Sequence, residues 1–220
     1  MGKPTVYSDY WWPKKGLLER VYSHPVALDG GGKELVEQII KGFSKPTVLE
    51  IGVFLGGSTI RWLDAHPRCT VVGVDLFEDS WDRIIERYRT QNKPWMAKVL
   101  SDVEDVQGLI DSLQEFGSLN CALRNLIEYR GRFFPVVGDF RQLCEELASS
   151  IKPDVIFLDA DKSEALLELC AEHFPAAILT GDDWTWGADQ GYPIQKAVNA
   201  YCERHGVGHK VDRATWAIGI

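Results

Sequence analysis

The stretch Val48-Leu-Glu50-Ile-Gly52-Val-Phe-Leu-Gly56-Gly57-Ser58-Thr59 constrains this chain more than any other. An apolar run of strand length carries an acid near its end, turns through closely spaced glycines and enters a helical pattern at Ser58 or Thr59, either of which suits a helix N-cap. Glycines in such a turn permit positive φ and let a ligand approach the backbone. A second apolar run, Val71-Val-Gly-Val-Asp75, follows and also ends in an acid. Strand, glycine turn, helix and strand in that order predict parallel pairing, with the turn at the carboxyl edge of a sheet. Asp75 lies about twenty residues past Gly56, where a doubly wound sheet offers a carboxylate to the two hydroxyls of a ribose.

The alternation continues along the chain. Short apolar runs predict strands at Thr47–Ile51, Thr70–Asp75, Phe134–Val137, Val155–Asp159, Ala177–Thr180 and Thr215–Ile220. Apolar residues at three- and four-residue spacing predict helices at Gly32–Phe43, Ser58–Asp64, Phe140–Ser150, Ser163–His173 and Ile194–His205. The expected class is α/β, a mostly parallel sheet with helices on both faces, because strands such as 155–158 read as unbroken apolar runs. The 220 residues suit one enlarged domain over 47–220. Residues 1–46, with Tyr7, Tyr10, Trp11 and Trp12, read as an N-terminal arm or lid that closes over a ligand or packs on a second subunit. The connection 78–133 is too long for one crossover helix and shows helical patterns at Ser80–Arg89, Val103–Phe116 and Asn120–Tyr129. It predicts a helical insertion at about 90–132, either covering a crevice or extending the core or a dimer contact.

Composition narrows the functional classes. With 24 Lys+Arg against 32 Asp+Glu the formal net charge is −8, which disfavours nucleic acid as a partner. The apolar runs fall far short of a membrane span, and the absence of an export signal leads us to expect the cytoplasm. Cys69, Cys121, Cys144, Cys170 and Cys202 form no Cys-x-x-Cys pair and read as buried or incidental free thiols. The glycine spacing differs from Gly-x-Gly-x-x-Gly and lacks a Walker lysine, so the turn suits a nucleoside without a pyrophosphate.

Three further acidic segments bear on chemistry. Gly138-Asp139-Phe140 follows a strand, and Asp139 either caps the next helix or contacts a base. Asp159 and Asp161 follow one strand, and Asp182 and Asp183 follow the next. On neighbouring strands these four carboxylates would share one rim and repel unless a cation or proton intervenes. Oxygen donors favour Mg²⁺, Ca²⁺ or Mn²⁺, whereas the alternative is separate solvated strand ends. Trp184 and Trp186 either wall an acceptor pocket or belong to the core.

Taken together, Glu50, Gly52, Gly56 and Asp75 resemble motifs I and II of the class I S-adenosylmethionine-dependent methyltransferases. That resemblance covers roughly residues 46–220 and implies a Rossmann-like, seven-stranded sheet. It implies that S-adenosyl-L-methionine lies near Glu50, Gly52, Gly56, Ser58, Asp75, Asp139 and Asp159. Leu158-Asp-Ala-Asp-Lys162 resembles the metal segment of catechol-type O-methyltransferases. Gly181-Asp-Asp-Trp184 is similar to the acidic pair of metal-dependent enzymes acting on natural-product sugars. The resemblance implies Mg²⁺ or another divalent cation on Asp159, Asp182 and Asp183. It makes Asp161 the general base, with Lys162 as the competing candidate. The implied activity is O-methylation of a small-molecule acceptor, with a metal-independent methyltransferase or a non-catalytic nucleoside-binding module of the same fold as the alternatives, and a homo-oligomer stays open.

Overall fold

The computed structural model describes residues 12–13, 15–26, 31–78, 80–91 and 100–219. Strands β1 (Thr47–Ile51), β2 (Thr70–Asp75), β3 (Phe133–Val137), β4 (Val155–Leu158), β5 (Ile178–Gly181), β6 (His209–Asp212) and β7 (Thr215–Ile218) form one seven-stranded sheet in the order β3-β2-β1-β4-β5-β7-β6. The strands from β1 to β5 pair in parallel, and β7 runs antiparallel to β5 and β6.

Alternate residues of each strand enter opposite cores, as a two-residue period requires. Leu49 and Ile51 of β1, with Ile156 and Leu158 of β4, pack under α6 (Phe140–Ser150), α7 (Glu164–His173) and α8 (Pro193–His205). Val48, Val155 and Phe157 pack on the other face under α2 (Glu34–Lys41) and α3 (Gly57–Ala65). Both faces are therefore dry, which explains the unbroken apolar runs. The five cysteines are free and buried, and burial above all pushes the Cys69, Cys121 and Cys170 thiols up to about 12.

The arm is part of this core where it is described. Trp12 is buried with its ring edge-on to Phe133, centroids 6.5 Å apart, and Leu18 of α1 (Lys15–Leu18) is buried beside it. Tyr7, Tyr10 and Trp11 lie outside the described residues. The long connection contributes α4 (Trp81–Thr90) and α5 (Val106–Asn125), which enclose a third apolar cluster with Val21, Val26 and Leu55. The helical patterns expected at 103–116 and 120–129 correspond to the two arms of α5, which meet where Gly117, at φ 77° and ψ 163°, leaves helical geometry.

The sheet order reverses between β1 and β4, so the loops leaving their carboxyl ends diverge and open a crevice. Gly52, at φ 96°, turns the chain out of β1 against the backbone after β4. A Cβ on Gly52 would stand 2.5 Å from the Asp159 carbonyl oxygen.

Candidate functional site

The glycine turn is built around two carboxylates. Glu50 is buried, and its oxygens accept hydrogen bonds from the Ser58 hydroxyl (2.6 Å), the Thr59 hydroxyl and the Trp62 Nε1–H (3.1 Å). The helix after the turn starts at Gly57, with Gly56 as its left-handed N-cap. Ser58 and Thr59 therefore do not cap it as expected. Their hydroxyls turn inward to satisfy Glu50, since a buried carboxylate without donors is too costly. Glu50 and Ser58 are thus hydrogen-bonded to each other within the turn.

Asp75 fixes the turn from β2. Its Oδ2 accepts from the backbone N–H of Val53 (2.7 Å) and Phe54 (2.9 Å), and its Oδ1 accepts from Phe77 N–H (2.8 Å). Phe54 and Phe77 hold φ of 53° and 48°, a left-handed conformation that bulky residues rarely adopt. Three charge-assisted hydrogen bonds offset that strain. Beside them, Leu76 and Val137 are each 51% exposed, and Val137 lies opposite Asp75 in the β2–β3 register. Neither was singled out in the sequence, where Val137 reads as the end of a strand and Leu76 as the first residue after one. Asp139 caps α6 by accepting from Arg141 N–H at 2.9 Å.

The β4–β5 register sets Leu158 opposite Gly181, so Asp159 and Asp182 leave the sheet side by side. Burial and the neighbouring Asp182 and Asp183 charges push the Asp159 carboxyl well above its usual range. Asp182 is buried and ion-paired with Lys33, which is itself 1% exposed, and burial still raises the Asp182 carboxyl. Asp183, at φ 67°, pairs with Lys162 at 2.6 Å. Asp161 separates from this group, turning instead to Arg141 and the Ser163 hydroxyl. The two tryptophans also part company. Trp184 packs on the core and against His209, whereas Trp186 is exposed with the Lys162 ammonium 5.2 Å from its ring.

The divalent metal implied by the sequence does not fit this arrangement. Among the described residues no set of three or more His, Cys, Asp or Glu side chains is gathered to hold a metal ion. Asp182, Asp183 and Asp161 each spend their charge on a cationic side chain of the chain itself. Lys33 had no signal of a ligand residue in sequence. Its one cue was the glycine pair Gly31-Gly32 just before it, which lets the backbone pass where a side chain would collide.

Glu50 carries a pH prediction. Burial lifts its carboxyl from 4.5 to about 7, against the donors Ser58, Thr59 and Trp62 and the Lys33 charge, which hold it down. A raised carboxyl binds its proton more tightly in the folded state. Its contribution is therefore complete below 4.5 and is lost as pH rises through about 7. The loss is on the order of 3 kcal/mol. Urea denaturation at pH 5 and pH 8 is expected to show this fall in wild type and a flatter profile in Glu50→Gln. Equal slopes in the two proteins would remove Glu50 as its source.

No family model matches the chain. Over 114 residues it is 31% identical to a tRNA (guanine-N(7)-)-methyltransferase of Saccharophagus degradans, a match covering 49% of this chain and 45% of that protein. The chain thus spans less than half the length of that relative. Among solved structures it is similar to an O-methyltransferase from Bacillus cereus in complex with SAH, at 18% identity and a TM-score of 0.50, covering 97% of this chain and 94% of that one. It is also similar to a candidate caffeoyl-CoA O-methyltransferase from Staphylococcus aureus, at 14% identity and a TM-score of 0.52, covering 86% and 82%. At these identities the likeness is one of fold, the class I S-adenosylmethionine-dependent methyltransferase fold that the sequence predicts. No described helix is long and apolar enough to cross a membrane.

Proposed function

We propose that this chain is an S-adenosylmethionine-dependent O-methyltransferase acting on a hydroxyl of a small molecule. The observation that carries the reading is the cradle at the carboxyl edge of β1–β3. There, a glycine turn pinned by Asp75 adjoins the exposed apolar pair Leu76 and Val137 and the Gly138–Asp139 turn. A ribose suits the remaining acceptor capacity of Asp75, since each carboxylate oxygen offers two lone pairs. A flat base suits Leu76 and Val137, which it would cover, with Asp139 at its rim. The acids at the ends of β4 and β5 suit a positively charged donor.

Such a donor brings a methyl carbon already made electrophilic by its sulfonium. The chain's own task is then to bind, align an acceptor oxygen and exclude water. The proton of that hydroxyl needs an acceptor at the rim. Asp161, oriented by Arg141 and Ser163, is the first proposed group, and Lys162, beside Asp183 and Trp186, is the second, able to take the proton only as the free amine released from its ion pair. The carboxylates present do not fit a metal, so this chemistry rests on the chain's own side chains.

Methylation of a nucleic-acid base is the second reading, drawn from the similarity to a tRNA methyltransferase. Charge weighs against it. The net charge is −8, and Arg20, Arg61, Arg89, Arg141, Arg204 and Arg213 each lie in an ion pair with a carboxylate.

Calorimetry with S-adenosylhomocysteine tests the reading. Saturable one-to-one binding is expected for wild type. Leu76→Asp and Val137→Asp are each expected to weaken it about tenfold or more while leaving the melting temperature in place. Absence of binding to the wild-type chain would end the proposal.

A further inference from the structure

The acids of the crevice pose a problem of charge. Glu50, Asp159 and Asp182 come from the carboxyl ends of β1, β4 and β5, three adjacent strands. Carboxyl groups gathered this way are stable only with a cation or a proton among them. The Lys33 ammonium meets that need. It is ion-paired with Asp182, lies 5.7 Å from the Phe157 ring centroid, and favours the charged form of all three acids.

We propose that Lys33 supplies the crevice with its own cation, in the place where the sequence implies a divalent metal, so that the site operates without Mg²⁺. The methyltransferase reading enters only in what the site operates on; the arrangement of charge stands without it.

The position of Lys33 is fixed by the backbone. The Gly31 carbonyl accepts from Ala214 N–H (3.2 Å) and the Thr215 hydroxyl (3.1 Å), which fastens the segment to β7. A Cβ on Gly32 would stand 1.8 Å from the Asp212 carbonyl oxygen, so only glycine lets the chain pass that close before it delivers Lys33 inward. The Gly32 carbonyl then receives Leu35 N–H at 2.9 Å, at the entry to α2. A lysine buried to this degree is tolerated when paired, and removing either partner leaves the other charge stranded.

A divalent ion needs about six oxygen ligands. Here one oxygen of Asp182 faces Lys33 and the other, Oδ1, is buried without a hydrogen-bond partner. Mg²⁺ is held through free carboxylates with waters completing its shell, and the Asp182 carboxylate is already engaged by Lys33. Asp183, the next ligand the sequence implies, faces a second ammonium, that of Lys162. The two ammonium groups thus occupy the carboxylates that a divalent ion would need.

The test is a Mn²⁺ titration followed by electron paramagnetic resonance of the free ion, with and without S-adenosylhomocysteine. Wild type and Lys33→Arg are expected to show no saturable binding. Lys33→Met, with its acids unpaired, is expected to bind one Mn²⁺ at least about tenfold more tightly than wild type. Stoichiometric Mn²⁺ binding by wild type that Asp182→Asn removes would overturn the proposal, as would a folded Lys33→Met with no gain in affinity. Should Lys33→Met not fold, the wild-type and Lys33→Arg titrations decide. Calorimetry with S-adenosylhomocysteine on the same samples keeps the two proposals apart. Loss of donor-product binding with Mn²⁺ still excluded counts against the methyltransferase reading alone.

Discussion

Replacing Gly52 with alanine is expected to lower the melting temperature by about 6–12 °C, the equivalent of roughly 3 kcal/mol in a chain of this length. Two costs add. The residue sits at φ 96°, which an L side chain occupies at a cost of about 1–2 kcal/mol. The new Cβ would also lie 2.5 Å from the Asp159 carbonyl oxygen and 2.8 Å from its carbon. Those are backbone atoms, so no side chain can swing aside, and overpacking of this kind costs roughly 1–3 kcal/mol. Gly208→Ala is the control, because nothing lies within 4 Å of a Cβ there. Thermal denaturation of the two variants side by side checks the claim. Similar small shifts in both would show that β1 and β4 are not held as close as described.

Asp75→Ala is expected to weaken S-adenosylhomocysteine binding by about a hundredfold, near 2.7 kcal/mol. The effect has two sources that a second variant separates. Alanine strands the N–H groups of Val53, Phe54 and Phe77 and releases the turn they hold. It also removes the carboxylate proposed to meet the ribose. Asp75→Asn keeps one carbonyl oxygen for the turn but loses the charge, so its melting temperature is expected to fall less than that of Asp75→Ala while binding stays impaired. Wild-type affinity in both variants would leave Asp75 a fixture of the loop alone.

Much of the architecture was legible because burial on both sheet faces writes itself into the sequence. β1, β2 and α6 fall on the residues expected, and β4 ends one residue earlier. The strand β6, His209-Lys-Val-Asp212, was not foreseen because it is an exposed edge paired only with β7, so no apolar run marks it. The site was legible in its acids and not in their partners. Asp159, Asp182 and Asp183 meet as strand adjacency requires, but Asp161 lies beyond the last residue of β4 and follows the loop toward Arg141. Lys33, at the start of a short amphipathic helix, has the appearance of a solvated residue until the packing of Gly31 and Gly32 against β7 and Asp212 is known. Long-range placement of this kind leaves no periodic trace.

The tie between Gly31 and the last strand has a bearing on how the molecule comes into being. The Thr215 hydroxyl reaches Gly31 across 184 positions, and Lys33 reaches Asp182 across 149. In translation Lys33 is made 149 positions ahead of Asp182, and its charge stays unbalanced until that stretch has been added. Until then the glycine turn has no balanced pocket behind it, and the β6–β7 hairpin, made later still, fastens the Gly31 segment in place.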